Sequence, residues 1–551
     1  MRAEVFVSRI ATGSLAGSLA CGALLAAAQN RPSYTRTPAS ATTSGPYRIA
    51  GVLVNTATDE PIRRATVQAL EEADSHAVAS CITDNEGHFA LTGLAAAKYQ
   101  VTASKRGFRT AFYDEHDQFS TAIVTGPDQD TTQLRFKLIP GAILRGAVTG
   151  DDGEPVANAR VMLFQKPRLA GAGARMAQVE GATTDDTGNY EIGDLAAGEY
   201  LLAVTAEPWY AVHEGSPTKR NPALDVAYPV TYFDSTTEEG SATPLVLAGG
   251  SREEANISLH AVPALHLSIA VPRKSNGSLA RPEIQQTIFG NVVGAESAGF
   301  LDALQTGSVE MGGIAPGHYE LTQGDPPRIA DLDLSSSQQV DPNAGSPALA
   351  VTGRLRMVSG APVAGEPTIS LARFDSGTGQ PVYATQAHGG QFTIDAVPAG
   401  QWTVMATGAG TMLPVVAVSA GGVQRAGNIV TLRDRGPDLV ITLSDAETRV
   451  EGFARKNGRG LAGAMIVLLP RNPALWQSLT RRDQSDSDGS FALQNVAPGE
   501  YTVVAIEDGW QIDWTSPEAM ARYLPGGTSV TVSEKSGTLI HLASPVTVET
   551  P

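Results

Sequence analysis

Apolar and polar residues alternate with a period of two in short runs along this chain, and one such run recurs. Its clearest copy is Asp486-Ser487-Asp488-Gly489-Ser490-Phe491-Ala492-Leu493, then Val496, then Pro498-Gly499-Glu500-Tyr501-Thr502-Val503. Side chains that face one side at every second position mark a strand half-buried on a sheet. The Asp- and Gly-rich stretch ahead of it predicts a hairpin turn, because Gly takes positive φ freely and Asp hydrogen-bonds within its own turn. Phe89 and Tyr99, Tyr190 and Tyr200, Val309 and Tyr319, Phe392 and Trp402, and Phe491 and Tyr501 are each ten residues apart. Five residues after the first anchor stands Leu94, Leu195, Ile314, Val397 or Val496. Eight after it stands Gly198, Gly317, Gly400 or Gly499, with Ala97 in the first copy. Spacing kept over five copies is an internal repeat, and it sets the whole reading.

The copies recur roughly every 100 residues, the size of one β-sandwich. The fold expected is all-β, a tandem array of about five sandwiches forming a rod. The units predicted are 47–139, 140–262 with an aromatic insertion, 263–347, 348–444 and 445–551. The third is degenerate, since it lacks the Asp-Gly opening. Abundant Gly and Pro with few aromatics suit many short strands and turns.

The first residues change the picture of location. Arg2 and Arg9 precede a small, apolar segment to Ala28, and Ala26-x-Ala28 fits a cleavage site. This predicts a signal peptide over 1–28, cut near Ala28–Gln29, and a loose Ser/Thr/Pro leader over 29–46. No other stretch approaches the roughly 18 apolar residues of a membrane helix. A secreted, periplasmic or outer-surface protein follows, with no transmembrane segment after cleavage. Cys21 lies in the signal segment with Ser18 three residues before it, which does not make a lipid-attachment box. Cys81 alone remains, so no internal disulfide is expected.

The net charge is −17 with acidic residues scattered along the chain. Nucleic-acid binding needs basic stripes that displace phosphate counterions, and none is present. A zinc peptidase needs ligand pairs at fixed spacing. None of the nine His offers His-Glu-x-x-His or His-x-x-Glu, and Gly-x-Ser-x-Gly is missing. Asp483, Asp486 and Asp488 lack the spaced ligands and terminal Glu of a calcium loop and read as a turn. Asp114-Glu115-His116-Asp117 reads as a solvated loop. No catalytic residue, metal or cofactor is expected, and the chain is not read as an enzyme.

In the second unit, Gly146-x-Val148 leads to Gly153-Glu154-Pro155-Val156-Ala157-Asn158-Ala159-Arg160-Val161, then Thr184-Asp185-Asp186-Thr187-Gly188-Asn189-Tyr190 and Leu195-Ala196-Ala197-Gly198-Glu199-Tyr200. This series closely resembles the carboxypeptidase regulatory-like domain. The likeness extends to the first and fifth units, less to the fourth and least to the third. It implies a transthyretin-like Greek-key sandwich related to collagen-adhesin B-type repeats and to carbohydrate-binding-like folds. It also implies a non-catalytic module, used as a spacer, an adhesin stalk or a receptor extension, and it supplies no site residues. The expected role is therefore structural or adhesin-like binding at the cell envelope, with another envelope protein or a polysaccharide as partner. For the polysaccharide reading, aromatic rings in two insertions are the candidates: Trp209, Tyr210, Tyr228 and Tyr232 in the second unit, and Trp510, Trp514 and Tyr523 in the fifth. The competing reading is that these rings cover a sandwich end or pack between neighbouring units. A peptidase accessory is the weakest reading.

Overall fold

A computed structural model describes residues 45–71, 76–166, 176–213, 220–273, 277–296, 307–373, 382–433, 438–444, 448–533 and 539–551. The signal segment, Cys21 and most of the leader lie outside the described residues. The described residues are mostly strands joined by turns, with only a few short helical turns, as the alternation predicts.

Each anchor phrase sits in the same frame. The opening strand of a repeat pairs antiparallel with the strand carrying the first anchor: Tyr47–Asn55 with His88–Leu94, Ala142–Thr149 with Asn189–Leu195, Leu265–Ala270 with Ser308–Ile314, Leu349–Met357 with Gln391–Val397, and Arg449–Lys456 with Ser490–Leu493. Its other side takes a closing strand in parallel, Leu134–Leu138 in the first repeat and Asp438–Leu443 in the fourth. The next strand, Thr66–Glu71 or Met465–Pro470, pairs instead with the strand of the second anchor. In the first four repeats the two anchors thus belong to different sheets. In the fifth, Val546–Glu549 pairs with both Arg449–Lys456 and Gly499–Ile506 and joins all its strands in one.

That arrangement corrects the hairpin reading of the Asp-Gly segment. Ala77–Ile82 and His88–Leu94, on either side of it, lie in different sheets. Both anchors point inward from facing sheets, so the chain must cross between sheets rather than fold back within one. The turn's chemistry is nonetheless as expected. Asp84 Oδ1 accepts from the N–H of Glu86 and His88, and Asp185 Oδ1 from that of Thr187 and Asn189. Two residues before each first anchor stands a left-handed glycine: Gly87, Gly188, Gly307, Gly390 and Gly489, with φ between 73° and 83°. Its carbonyl accepts from the N–H of Leu53, Val148, Val271, Leu355 or Ala454 at 2.7–2.9 Å. The third repeat lost the acidic residues and kept the glycine, because the backbone conformation is what the crossing requires.

All ten anchors are buried. Opposite the first anchor, in register, the opening strand carries Gly51, Gly146, Gly353 or Gly452. The third repeat pairs Ile269 with Val309 instead. The second anchor donates to the carbonyl four residues earlier in every repeat: Tyr99 to Ala95, Tyr200 to Ala196, Tyr319 to Ala315, Trp402 to Pro398 and Tyr501 to Ala497, at 2.7–3.2 Å. One side chain thereby fills the core and satisfies the turn that leads into its own strand. Buried hydrophobic residues gather in five clusters along the chain, over 49–138, 142–259, 265–340, 349–443 and 450–548.

Among the described residues, three further clusters lie outside these cores, the smallest being Ala227, Ala264 and Ala315. Met162, Phe164, Ala203 and Tyr232 of the second repeat meet Ile288 and Val293 of the third. Met465, Val467, Leu469, Val504 and Ile506 of the fifth repeat are covered by its own insertion and by Phe119 of the first. An extended rod would keep the first and last repeats apart. They are in contact, with Gln484 hydrogen-bonded to Asp114 and Thr121. Asp114, Glu115 and Asp117 stay exposed, as a solvated loop would, while one side of the segment rests on the fifth repeat.

Candidate functional site

The seven aromatic candidates fall into two separate groups, and the structure gives them different tasks. After Gly198–Thr205 the chain of the second repeat leaves its sheet at Pro208, and Trp209 and Tyr210 form the turn that follows. Trp209 is 84% exposed and meets Tyr210 edge to face, centroids 5.7 Å apart. Tyr228 is buried in the second core. Tyr232 is buried where the second and third repeats meet, its ring edge-on to Phe289 at 5.1 Å. Its hydroxyl donates to Glu239 Oε2 at 3.2 Å, and the same oxygen accepts from the N–H of Phe289 at 2.7 Å. Burial, and then the Glu239 carboxylate, push the Tyr232 hydroxyl well above the ordinary phenol range.

The fifth insertion packs inward. Trp510 and Tyr523 are buried and Trp514 is half-buried, all against the outer face of their own sheet. Trp510 Nε1 donates to the Gly463 carbonyl at 3.1 Å, and its ring stacks on His116 of the first repeat at 5.0 Å and 5°. The Arg482 guanidinium lies 4.5 Å from the Trp514 centroid and 5.1 Å from that of Phe119. Tyr523 Oη accepts from Arg522 at 2.6 Å. A sequence signal for this covering existed. Met465-Ile466-Val467-Leu468-Leu469 is a continuous apolar run that does not alternate, the mark of a strand buried on both faces. Val161-Met162-Leu163-Phe164 is the same signal in the second repeat.

Polar groups also link the repeats. Asp225 of the second insertion accepts from His213 at 3.0 Å and from His266 of the third repeat at 2.8 Å. His266 faces Glu310 at 3.3 Å, and Arg220 donates to Glu310 at 2.6 Å. A cleft of about 740 Å³ opens beside this junction, walled by Val230, Tyr232, Glu238, Glu239, His318 and Asp333. Asp84, Glu86 and His88, all exposed, bring ligand atoms within 4.8 Å of one another at the first turn.

Asp483 and Asp488, weighed in the sequence against a calcium loop, make turn and strand contacts. Asp488 Oδ1 accepts from Ser490 N–H and Oγ at 2.9 and 2.6 Å. Asp483 accepts from the N–H of Ala492 at 2.6 Å and of Gln484 at 2.8 Å. Burial pushes the Asp483 carboxyl up to about 7, against those two N–H groups; Asp486 adds to the rise and Lys98 opposes it. A carboxyl raised in the folded state gives stability that is complete below its unfolded value and falls as pH rises toward the folded one. The fifth repeat should thus weaken between about pH 4 and pH 7. Asp483→Asn should flatten that dependence. Because Asp483 keeps partial solvent contact, the pH-dependent loss that the substitution removes is about 1–2 kcal/mol in total, several degrees in Tm. Thermal unfolding of both proteins across this range checks the prediction.

Residues 28–138 and 143–224 match the family model of the carboxypeptidase regulatory-like domain. The first two repeats carry that match. No curated protein matches the chain. Among solved structures, the TIE protein of Bacillus anthracis is similar at 11% identity over 70% of this chain and 69% of its own, with a TM-score of 0.16. A streptococcal ancillary pilin is similar at 13% identity over 54% of this chain and 98% of its own, TM-score 0.19. The major pilin subunit of Bacillus cereus is similar at 14% identity over 74% and 99%, TM-score 0.14. Overlays this loose fix no residue correspondence. The regulatory-like match covers the first two repeats; in the remaining three the opening strand again pairs antiparallel with the strand of the first anchor.

Proposed function

We propose that the chain is a non-enzymatic, secreted structural or adhesin-like protein of the cell envelope. In this reading each of the five clusters is the core of one domain, bounded as 47–139, 140–262, 263–347, 348–444 and 445–551. The observation that carries the proposal is the use made of the insertions. Tyr232 joins the second repeat to the third, and Trp510 joins the fifth to the first. Two side chains suited to gripping a ligand, Tyr232 and Trp510, lie where neighbouring repeats meet, and this supports a holding role for them. The regulatory-like match of the first two repeats supports a module that acts by placement. Among the described residues, no helix is long and apolar enough to cross a membrane. The test is a pull-down of envelope fractions with purified chain, run beside an assay of peptide turnover. Retention of an envelope protein or polysaccharide without turnover supports the proposal. Turnover abolished by a chelator overturns it.

Carbohydrate binding is the second reading, and Trp209 is the observation that favours it. Its ring stands in solvent beside Tyr210, the arrangement on which a sugar face stacks. Trp209→Ala should abolish polysaccharide retention on an affinity gel and leave Tm unchanged, because an exposed ring contributes little to packing. Retention that survives Trp209→Ala and Trp514→Ala removes the insertions as the sugar site.

A further inference from the structure

We propose that the first and fifth repeats form a complementary pair of docking faces, and that a second copy of this chain is their intermolecular partner. Within one chain the pair closes on itself. When that contact opens, the fifth repeat of one copy takes the first repeat of another. The inference holds whatever the chain binds.

The contact is built from specific groups. Gln484 is 1% exposed. Its Nε2 donates to the Asp114 carbonyl at 2.5 Å and to Thr121 Oγ1 at 2.7 Å, and its Oε1 lies 3.2 Å from His116 Nδ1. Ser487 adds a backbone pairing: its N–H donates to the Ala122 carbonyl at 2.9 Å, and its Oγ accepts from the Val124 N–H at 2.8 Å. Asp486 accepts from the Ala122 N–H at 3.2 Å and pairs with Lys98. Arg482 pairs with Asp117 at 3.2 Å while held between Phe119 and Trp514. Gly463 leaves room that a Cβ would take from Asp114, whose carboxylate oxygen would stand 2.5 Å away.

The repeats themselves show that this face is a departure from their common plan. Counting from the first anchor, Ile82 and Thr183 stand where the fifth repeat has Gln484, and Ser80 and Gly181 where it has Arg482. Both Ile82 and Thr183 are exposed, as are Asp84 and Asp185, which correspond to the buried Asp486. So Gln484 and Arg482 of the edge strand Arg481–Gln484 make their side-chain hydrogen bonds to the first repeat. Asp114–Thr121 supplies the partners.

Two unlike patches that fit each other form a heterologous contact, which closes within one molecule or propagates between molecules. The residues that meet are separated by more than three hundred and sixty positions. Closure therefore depends on the effective concentration set by the three repeats between them. The contact mixes polar pairs with a small aromatic patch of His116, Phe119 and Trp510, and interfaces within a chain of this mixed character open and re-form.

Charge exchange separates the two modes. Arg482→Asp and Asp117→Arg, made singly in the full chain, each set like charges face to face, both within a chain and between identical chains. Mixed in equal amounts, each supplies what the other lacks. Sedimentation velocity at tens of micromolar should give the single-chain mass for each variant alone and twice that mass for the mixture. The doubly substituted chain should return to the single-chain mass and to wild-type hydrogen exchange over residues 114–124 and 482–487. A mixture that stays at the single-chain mass, while the double variant recovers closure, overturns the intermolecular proposal. Single variants whose exchange matches wild type over those residues overturn the pair itself.

Discussion

Trp402→Ala should destabilise the fourth repeat by about 3–5 kcal/mol. The side chain is 1% exposed and lies among Phe392, Ile394, Val404 and Ile441 in the fourth cluster. Tyr383 meets it edge to face at 5.3 Å, and its Nε1 donates to the Pro398 carbonyl at 3.0 Å. Truncation removes the largest buried side chain of that core, leaves a cavity and strands the carbonyl of the turn into its own strand. Trp402→Tyr restores what the other four repeats use and should recover most of the loss. Hydrogen exchange is the measurement, because it reads each repeat by itself. Protection should fall over Thr368–Arg373, Gln391–Val397 and Asp438–Leu443, and hold in strands of the first and second repeats such as Val67 and Val161. An equal fall throughout the chain would mean that the five clusters unfold as one, against the proposal that each is a domain.

Much of this frame was legible because it is local and periodic. The anchors ten apart are buried, and each turn glycine is left-handed where its position in the phrase demanded it. What periodicity cannot show is which strand lies beside which. Strands joined by an Asp-Gly turn most often form a hairpin, and here tertiary packing sends them to opposite sheets. The aromatic insertions were ambiguous for a different reason. A ligand site and a covered sheet face both favour Trp and Tyr, so residue type alone does not separate them. The unbroken run Met465–Leu469 did carry the answer, since a strand that does not alternate needs cover on both faces. For the first-to-fifth contact the trace was fainter. It rests on single polar residues, and only the departure of Arg482 and Gln484 from their counterparts in other repeats marks it.

Gly452→Ile should cost the fifth repeat about 3 kcal/mol or more, and Phe491→Val should partly rescue it. The third repeat supplies the logic. It replaces the glycine and its facing aromatic ring by Ile269 and Val309, exchanging volume across one register position. The other glycines cannot be relieved this way. A Cβ at Gly51, Gly146 or Gly353 would stand 2.1, 2.0 or 2.6 Å from the carbonyl oxygen of Leu134, Ala255 or Leu439, and backbone cannot step aside. At Gly452 the nearest atoms are side chains, Phe491 Cζ at 2.7 Å and Leu542 Cδ1 at 3.0 Å. Phe491→Val alone opens a cavity and should cost about 2–3 kcal/mol. Were the two changes independent, the double variant would lose the sum within about 0.5 kcal/mol. If the ring covers the glycine because each needs the space of the other, the double variant loses less than the sum by about 2 kcal/mol. Chemical denaturation of the four proteins in the cycle reads that coupling directly, and strict additivity would show that the glycine is required by the sheet rather than by the ring above it.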